Sequence, residues 1–236
     1  ISFGERASRF EEAFEIVRRL LWGERVTFEG RFSRVEDAVS FAKGSTIPDP
    51  AAAHMTCFNA TPLERALALR LGIPLYAADP TLAHLGSKSG SREVFRAAGI
   101  PVPDGFENLR DEVDLVHALT ELKRRNPRLH RAAVKLNDGF SGEGNAVFSF
   151  EGCPREEGLE AWIRVSFPAR LSFVARAENW ERYRAKFKAM GGIVECFIEG
   201  REKRSPSVQC RINPLGQIKA ISTHDQLLGG LDGQVF

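Results

Sequence analysis

The chain has no run of about 18 consecutive apolar residues, so no helical membrane span is expected. Charge of one sign is lacking too. Thirty-three Lys and Arg stand against 31 Asp and Glu, leaving a net charge of +2. So weak a field favours neither nucleic acid nor an anionic membrane, and neither is expected as a partner. Cysteine is scarce: the four present (Cys57, Cys153, Cys196, Cys210) lie far apart, with no CxxC and no Cys/His grouping. A zinc site needs closely grouped ligands, so buried, reduced thiols of a cytoplasmic protein are the expectation. No secretory leader is expected at the start of the sequence. It starts at Ile1 rather than methionine, as expected of a segment inside a longer reading frame. Internal repeats and low-complexity tracts are also missing.

What remains is 236 residues of ordinary globular composition, 43% hydrophobic and 27% charged, enough for one large domain or two small ones. In residues 9–22, "RFEEAFEIVRRLLW", Phe10, Ala13, Phe14, Val17, Leu20 and Leu21 form one apolar stripe, which predicts an amphipathic helix between Ser8 and Gly23. "VTFEGRFSRV" predicts a hairpin with Glu29-Gly30 in its turn, and "KGSTIPDPAAA" (43–53) reads as a linker. Beyond it, helices are predicted up to Gly72, over about 91–98, over 111–125 (Val113, Val116, Leu119 and Leu122 on one face) and over about 178–189. Strands are predicted near 75–77, around a glycine loop within 132–150, in "IVECFIEG", and as an antiparallel pair turned at Asn213-Pro214-Leu215-Gly216. The order is α/β first, then α+β with antiparallel sheets.

The chemistry concentrates in "AVKLNDGFSGEGNAVFSF" (133–150), where Lys135 precedes a loop containing Gly139, Gly142 and Gly144. Glycine lets backbone N–H groups approach phosphate oxygens where a Cβ would obstruct them, and a strand lysine adds a point charge. The spacing is neither GxxxxGK[ST] nor a GxGxxG that opens a helix. Taken alone, the loop is a weak signal that reads first as a long hairpin turn, and its Asp138 and Glu143 would repel phosphate unless they point away or hold a cation. Lys88, ahead of a short helix ending in "GIPVP", reads by itself as a surface charge. Glu195 stands in an otherwise apolar strand, where it is either buried with partners or exposed on an edge.

Together, "LGSKSGSREVFRAAGIPVP", "VKLNDGFSGEGNAVF" and "KRSPSVQCRINPLGQIKAISTHDQLLGG" resemble the ATP-grasp superfamily. The branch they are most similar to is the carboxylate–amine ligases that include the pheganomycin-type peptide ligases. The resemblance spans about residues 54–236 and implies an α+β, two-lobed fold with ATP held between antiparallel sheets. It implies that Lys88 and Lys135 meet the α- and β-phosphates, and that the 138–145 loop (Asp138, Gly139, Ser141, Gly142, Gly144, Asn145) closes over the triphosphate. Glu195 and the backbone of Cys196, Phe197 and Ile198 would bind adenine, and Glu202 the ribose. Arg211 is the candidate for stabilising the transferring phosphoryl group, and His224-Asp225 either shape the acceptor side or form a structural polar pair. The family's reaction activates a small-molecule or peptide carboxylate as an acyl phosphate, which an amine then attacks. That route needs no enzyme nucleophile.

Two departures accompany the resemblance. The family's Mg2+ ligands, a Glu and a Glu-x-Asn set on late strands, have no match before Phe236. The expectation is therefore a ligase fragment that uses ATP and Mg2+ but lacks its metal ligands. Residues 1–41 instead resemble a piece of luciferase-like flavin or deazaflavin monooxygenases, far short of a complete (β/α)8 barrel. A fused chain is expected: a monooxygenase fragment (1–42), a joint (43–53), a partial α/β segment (54–86), a first ATP-grasp lobe (87–190) and an incomplete second lobe (191–236). Helix 9–22, cut from its barrel, is expected to pack loosely. A flavin-type oxidoreductase and a non-catalytic nucleotide-binding relic are the alternatives.

Overall fold

The computed structural model describes residues 12, 15–16, 19, 25–31, 34–38, 53–139, 144–200, 202–213 and 215–229. It divides into two compact units, residues 1–83 and 84–236.

In the first unit the expected hairpin is present, but Glu29, expected in its turn, is instead a strand residue paired with Arg34. Strands β1 (Val26–Glu29) and β2 (Arg34–Ala38) pair antiparallel, and Val26 is fully buried. Residues 12, 15, 16 and 19 are helical and Ile16 is buried. The rest of the predicted 9–22 helix, and with it the expectation of loose packing, lies outside the described residues. Helix α1 (Pro62–Leu71) begins at a capping box: Thr61 accepts from Leu63 N, and Glu64 accepts from Thr61 N at 2.8 Å. Gly72 ends it in the left-handed conformation (φ 68°), as its sequence position predicted. The strand expected at 75–77 shrinks to one parallel bridge, Met55 to Leu75.

The second unit is a mixed α and antiparallel-β structure. Its main sheet has the order β3-β7-β4-β5-β6, where β3 is Gly105–Leu109, β4 Arg131–Leu136, β5 Asn145–Ser149, β6 Leu171–Phe173 and β7 Gly192–Cys196. β7 thus lies between β3 and β4, antiparallel to both. The expected lobe boundary at 190/191 would have put it in the second lobe. The edge-strand alternative for Glu195 is also removed, because its strand is internal. Helices α2 (Lys88–Ala97), α3 (Glu112–Arg125), α4 (Leu159–Arg170) and α5 (Trp180–Met190) follow the chain order. Strands β8 (Ser205–Ile212) and β9 (Ile218–Gln226) form a separate two-stranded sheet. Their turn is the predicted one: Gly216 has φ 74°, and Asn213 N donates to Gln217 O.

Strand alternation sorts the main sheet into two unlike faces. Ala132, Val134, Leu136, Ala146, Phe148 and Val194 meet Leu115, Leu119 and Leu122 of α3, Ile163 and Phe167 of α4, and Tyr183 and Phe187 of α5 in one core. The opposite face carries a small apolar cluster of Ala133, Val147 and Phe197. The apolar face of α3 is shifted from the expected one. Leu115, Val116, Ala118, Leu119 and Leu122 are buried, whereas Val113 is 61% exposed in the first turn. Helix α4 and strands β3 and β6 have no counterpart among the predicted elements. The left-handed Gly158 before α4 and Pro168 inside it hide a helix from pattern reading.

None of the four cysteines is bonded to another, but the expected burial is incomplete: Cys210 is exposed and the others are partly so. Among the described residues no helix is long and apolar enough to cross a membrane.

Candidate functional site

The face of the sheet opposite α3, α4 and α5 opens into a cleft of about 480 Å³. Its floor comes from β4, β5 and β7 (Ala133, Lys135, Asn145, Glu195, Cys196), continuing through Phe197, Ile198 and Glu199. Glu202, Lys203, Arg204, Ser205 and Leu228 line the other side. Sheet register accounts for the pairing of residues here. Ala133 lies opposite Glu195, and Lys135 opposite Asn145. Lys135 and Glu195 therefore share the cleft face as diagonal neighbours.

Their side chains meet: Lys135 Nζ lies 2.6 Å from Glu195 Oε1. The other carboxylate oxygen, Oε2, accepts from Arg92 Nη1 at 2.5 Å. Arg92, on α2, is only 5% exposed. Its guanidinium also donates through Nε to Glu107 Oε2 (3.2 Å) and through Nη2 to Pro103 O (2.7 Å). Arg96, one turn further along α2, donates to both oxygens of Glu107. Burial works to raise the Glu107 pKa, but hydrogen bonds from Arg96 and Arg92 outweigh it and hold the carboxyl below its ordinary value. The same bond raises the Arg96 pKa.

A carboxyl whose folded pKa is depressed stabilises the fold above its unfolded value, and that contribution is lost as pH falls through the folded one. For Glu107 the ordinary value is 4.5. Its contribution should be intact above that pH and be lost progressively as pH falls from there through the lower folded value. Thermal melts from pH 6 to pH 3 should show a smaller loss of Tm for Glu107→Gln than for the wild type. An equal loss would mean that another carboxylate governs acid stability.

The glycine loop is fixed at its base. Tyr183 of α5 is fully buried, and its hydroxyl is in hydrogen-bond contact with Gly144 O (3.0 Å) and Val134 O (3.1 Å). Gly144 O also accepts from Leu136 N. Burial, then the nearby Glu178 charge, push the Tyr183 pKa up, so the hydroxyl remains a donor. Where the two legs approach, a Cβ on Gly139 would stand 3.1 Å from Gly144 N and Cα. Glycine here serves close backbone passage. Asn137, which the sequence did not single out, ties three elements together. Its Oδ1 accepts from Ser89 N and Oγ at the start of α2, its Nδ2 donates to Met190 O, and its own O accepts from Lys88 N.

Lys135, Asn145, Glu195, Cys196, Phe197, Ile198 and Glu202, all expected at the site, thus line one cleft. Lys88 is exposed at the first turn of α2, beside the end of β4 rather than in the cleft lining. Asp138 borders a smaller hollow of about 250 Å³ with Ser87, Asn108 and Asn137. Arg211 lies on β8 opposite Lys219, outside the lining, and His224 lies opposite Ser207. Ser141 and Gly142 lie outside the described residues. The Cys196 thiol pKa is raised by burial and by the charges of Asp104 and Glu195, which makes it a poor nucleophile.

Residues 80–153 match the model of a family described as IQCH-like, ATP-grasp. L-propargylglycine–L-glutamate ligase of Streptantibioticus cattleyicolor is 31% identical over 178 residues, covering 73% of this chain and 34% of that protein. The chain is similar in sequence to ATP-grasp proteins. IQ motif-containing protein H of Danio rerio is 26% identical over 192 residues, 70% of this chain and 18% of that protein. The chain therefore spans about a third or less of the curated proteins it matches. A solved D-alanyl-alanine synthetase A from Vibrio cholerae aligns with a TM-score of 0.44 and 12% identity, covering 71% of this chain and 41% of its own.

ATP-grasp proteins generally use ATP with Mg2+, and the residues of this cleft fit the nucleotide better than the metal. The cleft presents a lysine beside a glycine loop, a carboxylate with lone pairs to spare, and the segment from Phe197 to Glu199, in which Ile198 and Glu199 are exposed. Among the described residues no three His, Cys, Asp or Glu side chains are grouped so as to hold a metal ion. No residue is therefore assigned to Mg2+.

Proposed function

We propose that this cleft binds ATP, within a ligase that activates a carboxylate as an acyl phosphate and joins it to an amine. The observation that supports this most directly is the Lys135–Glu195 pair, set on the open face of an antiparallel sheet next to a glycine loop anchored by Tyr183. Lys135 supplies positive charge to the phosphates, with Lys88 approaching from the start of α2. The loop from Asp138 to Asn145 lies over the triphosphate. Glu195 accepts from the adenine amino group, the Cys196–Ile198 backbone meets the ring edge, and Glu202 takes the ribose hydroxyls. Bound ATP supplies the phosphoryl group and the leaving group, while the chain's own part is positioning and charge. Arg211 is proposed for the transferring phosphoryl, and the small-molecule or peptide substrates are proposed to enter near β8 and β9.

Calorimetric titration of the chain with ADP and ATP, with and without Mg2+, tests the reading. Single-site binding with Kd below about 1 mM is expected. No heat and no rise in Tm with either nucleotide would remove it.

A further inference from the structure

We infer that Arg92 is a positioning residue: it holds the Glu195 carboxylate so that Lys135 is free to leave it for an anionic ligand. This rests on the nucleotide reading above. Two carboxylates, Glu107 and Glu195, are shared among three cations, Arg92, Arg96 and Lys135. The cluster therefore carries one more positive charge than its carboxylates neutralise.

The cations differ in how firmly they are held. Arg92 has the least exposed side chain (6%), and its guanidinium donates to three separate acceptors on β3, on β7 and in the segment before β3. A planar fork of this kind can be fixed in three directions at once. Lys135 contacts the cluster through Glu195, has a side chain 24% exposed, and lines the cleft. Lys135 is the member that can move.

The energetic argument concerns what Lys135 leaves behind. Glu195 is only 9% exposed, and a buried carboxylate stripped of its one counter-ion is strongly destabilising. With Arg92 on Oε2, departure of Lys135 from Oε1 leaves a paired carboxylate. Without Arg92, Glu195 would depend on Lys135 alone and compete with a phosphate for it. The effect of Arg92 should therefore fall on phosphate-bearing ligands and spare the nucleoside.

The test compares ADP, by calorimetry, with adenosine, by ligand-observed NMR. Arg92→Met should weaken ADP by at least about tenfold while adenosine changes by less than about threefold. Adding Glu195→Gln to Arg92→Met removes the competing charge while leaving an amide oxygen to accept from adenine, and should recover at least about threefold of the ADP affinity lost in Arg92→Met. Arg164→Gln, which breaks only a surface pair with Glu160, serves as the control. Parallel losses for ADP and adenosine, or no recovery in the double variant, would make Arg92 merely structural and overturn the inference. If circular dichroism shows Arg92→Met unfolded, Arg92→Lys and the double variant carry the test. Lysine keeps one charge but cannot serve both carboxylates, so unchanged ADP affinity in Arg92→Lys also overturns it. A wild type that binds neither ligand removes the nucleotide reading and this inference together. A wild type that binds ADP alongside an unaltered Arg92→Met removes this inference alone.

Discussion

Replacing Lys135 with alanine will lower ADP affinity by at least about tenfold, which corresponds to ~1.4 kcal/mol or more, and will leave the fold standing. The two halves of that expectation have different origins. Lys135 is the cation on the cleft floor beside the glycine loop, whereas the other cations of the lining, Lys203 and Arg204, stand on the other side, so its loss removes the attraction nearest the loop. Its partner Glu195 is not stranded, because Arg92 remains 2.5 Å from the other oxygen. A fall in affinity without a fall in Tm is therefore the signature to look for. Unchanged ADP binding in Lys135→Ala would show that the phosphates lie elsewhere.

The largest loss of stability should follow truncation of Tyr183. Its ring is packed between Phe173 (centroids 5.1 Å apart) and Phe187 (6.3 Å), and its hydroxyl reaches Val134 O and Gly144 O. Tyr183→Ala leaves a cavity as well as lost contacts and should cost about 3–5 kcal/mol. Tyr183→Phe keeps the ring and removes only the hydrogen bonding, worth about 1 kcal/mol. Chemical denaturation of both variants gives the two values. The phenylalanine variant has a second readout. If the hydroxyl fixes the loop base, amide exchange at Gly144 and Asn145 should quicken in Tyr183→Phe more than exchange in α3. Uniform quickening would show that the hydroxyl merely contributes to global stability.

Much of the candidate cleft was legible because it is written locally. Lys135, the loop glycines and the run from Glu195 to Glu202 lie in short stretches whose order is itself a signal, and seven of the expected residues share the cleft. What escaped depends on residues distant in the chain. Whether Glu195 is central or on an edge depends on β3, a strand containing Glu107 and Asn108 that offers little β signal. Asn108 has φ 61°, beside an irregularity in the pairing of β3 with β7, and no periodicity rule anticipates a strand there. Arg92, by itself, is one polar residue among several on a short helix. A usable signal was present all the same: Lys88, Arg92 and Arg96 recur every four residues, which puts three cations on one face of α2. Asn137 escaped for the opposite reason, since an asparagine before Asp-Gly reads as turn chemistry, whereas here it fastens α2, β4 and the end of α5.

The place of β7 in the sheet has a consequence for how the chain acquires its structure. β3 and β4 are complete by residue 136, yet they never pair with each other; the strand that joins them arrives some 55 residues after β4. During synthesis both strands must wait with open edges, the condition under which strands pair with the wrong neighbour. Closure of the sheet is a late, non-local event, and such topologies fold slowly. Gly192 makes that insertion sterically demanding, because a Cβ there would strike the Lys135 carbonyl and the Phe187 ring. The final strand slides into a slot sized for a backbone without a side chain, and the cleft comes into being only when it arrives.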